Sequence, residues 1–94
     1  MSSFVGKIGQ EVNKIRLTLK SRQWVGRSRP VMLHTFSDSD QNEITIFSTR
    51  KALLSVQEGD TIEVNGRIKD HKVIEGRNVT IINDFYVLRT VGGE

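Results

Sequence analysis

The segment from Gly59 to Leu88, GDTIEVNGRIKDHKVIEGRNVTIINDFYVL, constrains the fold of this chain more than any other part of the sequence. Its first half alternates apolar and polar residues with the period of two that is typical of a half-buried strand. Gly66 takes an inward position, as glycine often does where a sheet bends tightly. We therefore predict a strand, a charged loop over Asp70–Arg77, and a returning strand over Asn78–Leu88. A simple hairpin with a solvated tip would show the same pattern, so the segment alone does not define a function.

The rest of the chain adds three strands and a short helix. Apolar and polar residues alternate along Val12–Trp24, and further strands are predicted over Val31–Phe36 and Glu43–Ser48. A helix is expected over residues 50–56, capped by Ser48 or Thr49. In the last strand Asn83-Asp84 predicts a bulge, Phe85 is expected inside and Tyr86 outside, and residues 90–94 are expected to fray.

This order predicts an all-β fold, namely the five-stranded Greek-key barrel of the oligonucleotide-binding (OB) fold, with a short helix between strands 3 and 4. A small barrel of the SH3 kind is the structural alternative, although a helix in this position would be unusual there. The 94 residues are expected to form one domain, with an ordered core over about residues 5–90.

Composition excludes several classes of protein. The chain has no cysteine, so it can form neither disulfides nor thiolate metal sites, and its two histidines are too few to suggest structural zinc. No apolar run approaches the length of a membrane span. We therefore expect no membrane association, no metal and no cofactor, and a location in the cytoplasm of a bacterium or of a phage-infected host.

Positive charge is concentrated in the first third of the chain and around the predicted charged loop. Residues 1–36 contain seven Lys or Arg and one acid, Glu11. Segregated charge of this kind attracts a polyanion, although many basic proteins simply have a solvated basic surface. The candidate phosphate-binding residues lie on the polar face of strand 1, in the loop after it, and around the later loop: Lys14, Arg16, Lys20, Arg22, Arg27, Arg29, Lys69, His71, Lys72 and Arg77.

Two aromatic residues are candidates for stacking on bases. Trp24 ends the polar face of strand 1 beside Arg27 and Arg29, and Phe47 lies on the polar face of strand 3. Exposed rings beside cations are what a single-strand-binding groove requires. Alternatively, Trp24 plugs the end of the barrel, as a lone tryptophan often does in a small domain.

Catalysis has little support, and we expect no enzyme activity. No nucleophile lies in a recognisable elbow or phosphate-binding loop. Asp38 and Asp40 are expected to bond local backbone groups rather than a cation. His34 is expected to be a packed or surface histidine, and His71 either contacts phosphate or is simply solvated.

The sequence resembles the barrel modules of phage and plasmid replication proteins and of single-stranded DNA-binding proteins. The resemblance covers FSDSDQNEITIFST and LLSVQEGDTIEVNGRIKDHKVIEGRNVTI, about two thirds of the chain. It rests on Phe36, Asp38, Asn42, Phe47, Gly59, Asp60, Gly66, Ile68, Lys69, His71, Gly76 and Thr80.

The resemblance implies non-sequence-specific binding of single-stranded DNA in replication, recombination or repair. Single-stranded RNA is a variant of this hypothesis, and a protein-interaction or assembly module is the alternative. The expected partners are a single strand, other replication proteins, and a second copy of the chain paired through the apolar end of the last strand at Val87, Leu88 and Val91.

Overall fold

A computed structural model describes residues 2–92 as five β-strands and one short helix. The strands are β1 (Glu11–Val25), β2 (Val31–Ser37), β3 (Glu43–Phe47), β4 (Thr61–Ile74) and β5 (Arg77–Gly92), and the helix α1 (Lys51–Leu54) lies between β3 and β4. The all-β class and the order of three strands, a helix and two strands are confirmed.

The five strands close into a ring in the order β1-β2-β3-β5-β4, in which β4 pairs again with β1. All neighbours are antiparallel except β3 and β5, which run parallel over Glu43–Ile46 and Val79–Ile82. The long β1 belongs to both halves of the ring, because its first part pairs with β4 and its second part with β2. The ring encloses a core of buried aliphatic side chains with Phe36 and Phe85, and Leu53 of α1 and Val56 pack against it.

The side chains that the alternating pattern assigns to the buried face of each strand are buried along most of the ring. Leu17, Leu19 and Ile62 are fully buried, as their places in the alternating pattern predict. In the last strand Phe85 is buried and Tyr86 is 70% exposed, as expected.

The bulge predicted at Asn83-Asp84 is present but lies one residue later, at Asp84-Phe85. Asn83 and Tyr86 of β5 pair with Arg67 and Asn65 of β4, so the two residues between them in β5 lie opposite the single Gly66. Asp84, one of these two, has a φ of 49°.

The loop predicted over Asp70–Arg77 is wrong in its extent. β4 continues to Ile74 and pairs with β5 down to Ile74 and Arg77, so only Glu75 and Gly76 form the turn. Both turn residues have positive φ values, 50° and 79°, the conformation that two-residue hairpin turns require. His71 and Lys72 therefore have fixed positions in a strand rather than lying in a mobile loop.

The end of the last strand was also predicted wrongly. Residues 90–92 were expected to fray, but β5 extends to Gly92, where it pairs with Thr61. Pairing with the start of β4 supplies these residues with hydrogen-bond partners that a sequence pattern does not reveal. Gly93 and Glu94, which belong to the same prediction, lie outside the described residues.

The N-terminal segment of residues 2–10 is attached to the ring although it forms no strand. The Val5 amide donates to Thr80 Oγ1 at 2.9 Å, and the Gly9 amide donates to the Ile68 carbonyl at 2.7 Å. The Phe4 ring stacks on His71 with 4.5 Å between the ring centres. The segment therefore supports the side of the β4–β5 hairpin on which Thr80 and His71 lie.

Candidate functional site

A groove of about 420 Å³ lies between the β4–β5 hairpin and the outer face of the β2–β3 part of the sheet. Directly paired residues of neighbouring strands point to the same face, so Leu33 and Phe47 lie side by side on this outer face. The hairpin curls over it and contributes the opposite wall. The lining residues are Leu33, Thr45, Phe47, Lys69, Asp70, Lys72, Ile74, Val79 and Ile81.

The floor of the groove is apolar and well covered. Val79 and Ile81 pair with Glu43 and Thr45 and so belong to the outer face of the ring, yet Val79 is fully buried and Ile81 is only 6% exposed. Lys72 and Asp70 of β4 pair with them and flank them on the same face. β5 is therefore buried on both faces at this point, with Thr80 and Ile82 on the inner side.

Phe47 supplies an exposed aromatic ring at the wall of this groove. It is the last residue of β3 and is 41% exposed, so a planar ligand can reach its face. Its position on the polar face of the third strand, outside the core, was predicted from the alternation of Ile44 and Ile46 with Thr45 and Phe47.

The cations of the groove differ in how tightly other side chains hold them. Lys69 and Lys72 line the groove, and Lys72 lies 4.0 Å from the Asp70 carboxylate. Arg77 stands at the rim, where its guanidinium donates to Glu43 at 2.9 Å and to Glu75 at 3.3 Å. The hydrogen bond and charge of Glu43 raise the pKa of Arg77 above its ordinary value. Arg77 is thus partly neutralised by its own protein.

The structure places Arg22 and Trp24 on the opposite face of the sheet from Phe47, which corrects the prediction that they continue the polar face of strand 1. A bulge at Lys20 shifts the register between Leu19 and Ser21, so Arg22 pairs with His34 and Trp24 pairs with Met32. Residues beyond the bulge therefore point to the side opposite to the one that simple alternation predicts.

Arg22 is held by the protein itself. Its guanidinium donates to the main-chain carbonyls of Leu53 and Val56 and to His34 Nδ1. It thereby binds one carbonyl in the last turn of α1 and one two residues beyond the helix, and the Leu53 carbonyl also accepts from the Val56 amide. Its part in the structure is to anchor α1 to the ring.

The remaining candidate residues do not join the groove. His71 lies on the other side of the hairpin, where it stacks on Phe4 and its Nε2 is 3.3 Å from the Val5 carbonyl oxygen. Lys14 lies at a second bulge of β1 with a φ of 55°, and Arg16 is 3.7 Å from Glu63. Lys20, Arg27 and Arg29 are exposed, the last two in the turn between β1 and β2.

Two other polar predictions concern local structure. Asp38 Oδ1 accepts from the amides of Asp40 and Asn42, which confirms the expected bonding to local backbone. His34 is fully buried, so the expectation of a packed histidine is confirmed. Its Nε2 is 3.0 Å from the Ser48 carbonyl oxygen, and burial, reinforced by the charge of Arg22, lowers its pKa below the usual 6.5.

Sequence reasoning missed the apolar lining of the groove, namely Leu33, Ile74, Val79 and Ile81. The run Val79-Thr80-Ile81-Ile82, in which every residue is β-branched and only Thr80 is polar, was the available signal, because a strand that is buried on both faces loses its alternation.

Comparison with known proteins finds no matching family model, no matching curated sequence and no matching solved structure. Across residues 2–92, no helix has the length and apolar character needed to cross a membrane. In the same part of the chain, no group of three or more His, Asp or Glu side chains is arranged to hold a metal ion.

Proposed function

We propose that this chain is an OB-fold protein that binds single-stranded DNA without sequence specificity. The ring order β1-β2-β3-β5-β4, with a helix between the third and fourth strands, supports an OB-fold assignment. In that fold the face of strands 2 and 3, flanked by the loops after strands 1 and 4, binds oligonucleotides. The groove described above lies on the corresponding face.

One observation carries the proposal: a single groove combines an apolar floor, an exposed phenylalanine ring and two lysines. Single-strand binders require rings on which bases stack and cations that follow the phosphates. Phe47 serves as the stacking surface, while Lys69 and Lys72 contact phosphates. Neither stacking nor contact with phosphate distinguishes one base sequence from another, so the binding is non-specific.

Replication, recombination or repair of DNA in a bacterial or phage-infected cytoplasm is the cellular role that we propose, because single strands are exposed in these processes. RNA is the variant of this proposal, since stacking and phosphate contacts serve both polymers. Proteins of the same processes are further proposed partners.

A protein-binding role is the second candidate, and exposed aliphatic residues at the hairpin favour it. Val73 is 66% exposed and Ile74 is 40% exposed, beside the turn that closes the groove. Apolar side chains at a groove rim also suit a peptide ligand.

Titration of labelled oligo-dT, oligo-U and duplex DNA into the wild type and two variants tests the proposal. We expect oligo-dT to bind more tightly than duplex, and Phe47→Ala to weaken that binding by about 1–3 kcal/mol. Tyr86→Ala is the matched control, because Tyr86 is an exposed ring that does not line the groove. Equal affinity for duplex and single strand, or equal losses in the two variants, would contradict a stacking groove.

A further inference from the structure

Trp24 is a large exposed aromatic residue that the groove does not use. Its side chain is 61% exposed on the face that it shares with Met32, its directly paired neighbour. Gln23 and Leu33 form the next pair and point to the groove face, with Phe47 beside Leu33 on β3. Trp24 and Phe47 therefore lie on opposite faces of the sheet near the same end of the β1–β2 hairpin.

The chain around Trp24 is free of negative charge. No acidic residue occurs between Glu11 and Asp38, a stretch that contains six Lys or Arg. Two of these, Arg27 and Arg29, are exposed in the turn that joins β1 to β2 immediately beyond Trp24. A polyanion is the ligand that such a surface favours.

The surroundings of the other strongly exposed ring are different. Tyr86 is 70% exposed, but the charged side chains about it are two carboxylates, Glu11 and Asp84, and one cation, Arg67, which is paired with Glu11 at 2.9 Å. Exposure of a ring alone therefore does not single out Trp24. The combination of an exposed indole with a cationic turn does, because stacking and phosphate attraction act together on single strands.

We infer that a single strand leaving the Phe47 groove passes over the turn of residues 26–30 and stacks a base on Trp24 at the opposite face. Arg27 and Arg29 contact the phosphates at the crossing. This inference rests on the proposed function and extends the site from one face of the sheet to both. It implies that Trp24 contributes to affinity only when the nucleic-acid strand is long enough to reach around the turn of residues 26–30.

Two lengths of oligo-dT separate the two contacts. One of about 5 nucleotides lies near the lower end of the ~4–16 nucleotides that one OB domain covers, and one of about 16 lies at the upper end. We expect the short strand to leave the fluorescence of Trp24 unchanged and to depend on Phe47 alone. We expect the long strand to quench Trp24 and to lose about 5- to 150-fold in affinity in Trp24→Ala.

Matched variants keep the test independent of folding. Trp24→Phe should restore part of the affinity for the long strand, and Arg27→Ser with Arg29→Ser should weaken the long strand more than the short one. Tyr86→Ala should change the affinity for neither the long strand nor the short one. Circular dichroism of each variant verifies the fold.

The inference is overturned if Trp24→Ala binds the long strand as tightly as the wild type does, or if it weakens both lengths equally. Phe47→Ala would still weaken the short strand in those cases, so the proposed function would stand. Absence of binding of either length to the wild type would overturn both together.

Discussion

At the scale of single residues, His34 shows how burial ties the charge state of a side chain to folding. The ring is fully buried, and Arg22 Nε donates to its Nδ1 at 3.3 Å. The other ring nitrogen then carries the proton and donates to the Ser48 carbonyl. This arrangement suits a neutral imidazole, because a second proton would stand against the Arg22 guanidinium in a buried site.

We predict that His34 makes the protein less stable in acid. Its pKa in the folded chain is lowered from 6.5, first by burial, so below about pH 6.5 the unfolded chain takes up a proton more readily than the folded one does. The contribution of His34 to the free energy of unfolding is complete above the pKa that the histidine has in the unfolded chain. It is lost as the pH falls from there through the lower pKa of the folded chain. Urea unfolding at about pH 7.5 and about pH 5.5 measures the change.

His34→Gln is the control for this prediction, because glutamine does not titrate. The free energy of unfolding of the variant should fall less between the two pH values than that of the wild type. An identical fall in both proteins would assign the acid sensitivity to other groups.

Trp24 permits a second prediction at this scale, about stability rather than binding. A tryptophan that plugged the ring would lose about 3–5 kcal/mol of unfolding free energy when truncated to alanine. Because Trp24 is 61% exposed, we expect Trp24→Ala to cost much less than Phe36→Ala, which empties a fully buried site. Urea unfolding of both variants is the measurement, and equal losses would contradict the exposed position.

At the scale of elements, bulges decide which residues share a face. Lys20 is an extra residue in β1, because its two neighbours pair with consecutive residues of β2. Lys69 is an extra residue in β4 in the same way, opposite consecutive residues of β5. The bulge at Lys69 turns Asp70 and Lys72 toward the groove and His71 toward Phe4. One inserted residue in each strand thus separates the groove residues from side chains with structural roles.

Gly66 permits a prediction about the bend of β4. A Cβ atom at this position would lie 2.6 Å from Ile82 Cγ2, closer than carbon atoms tolerate. We expect Gly66→Ala to destabilise the fold by about 1–3 kcal/mol through overpacking of the core. Gly92→Ala is the control, since no atom lies within 4 Å of the added carbon. Equal midpoints of urea unfolding for the two variants would contradict the close packing.

The β4–β5 hairpin permits a prediction about salt dependence. If Lys69 and Lys72 bind phosphates, replacing both with Ser should reduce the slope of log affinity against log salt by about 0.7 for each phosphate that is no longer neutralised. Adding Arg77→Ser should have a smaller effect, because Glu43 and Glu75 already hold that guanidinium. Oligo-dT titrations at several salt concentrations measure the slope. A triple variant that binds like the wild type would mean that the groove is not the binding site.

At the scale of the whole molecule, β5 leaves one edge open. β5 pairs with β3 only at Val79–Ile82 and with β4 along most of its length. Among residues 2–92, no strand pairs with the remaining edge of β5 from Tyr86 to Gly92. Leu88, which is 43% exposed, and Val91 are bulged residues in this stretch. Bulges twist an edge and so limit pairing to a short segment.

We predict that two copies of the chain pair through this edge as a homodimer, or assemble further when bound along one DNA strand. One OB domain covers only ~4–16 nucleotides, so neighbouring copies are needed to coat a longer strand. Light scattering at about tens of micromolar, with and without long oligo-dT, measures the mass. Leu88→Lys should weaken assembly by placing charge at the edge. A monomeric mass in both samples, with non-cooperative binding to long strands, would contradict the prediction.

The sequence by itself determined the order of the elements along the chain, the position of α1, the buried faces of β1 before its bulge at Lys20 and of the start of β4, and the places of Phe47, Phe85 and Tyr86. These features follow from periodicity and turn residues, which act over a few neighbouring positions. Only the tertiary structure decided that Arg22 and Trp24 leave the polar face, that Val79 and Ile81 form a covered floor, and that His71 stacks on Phe4. Each of these depends on which strands pair and where a bulge breaks their register, and that is set by contacts between residues far apart in the chain.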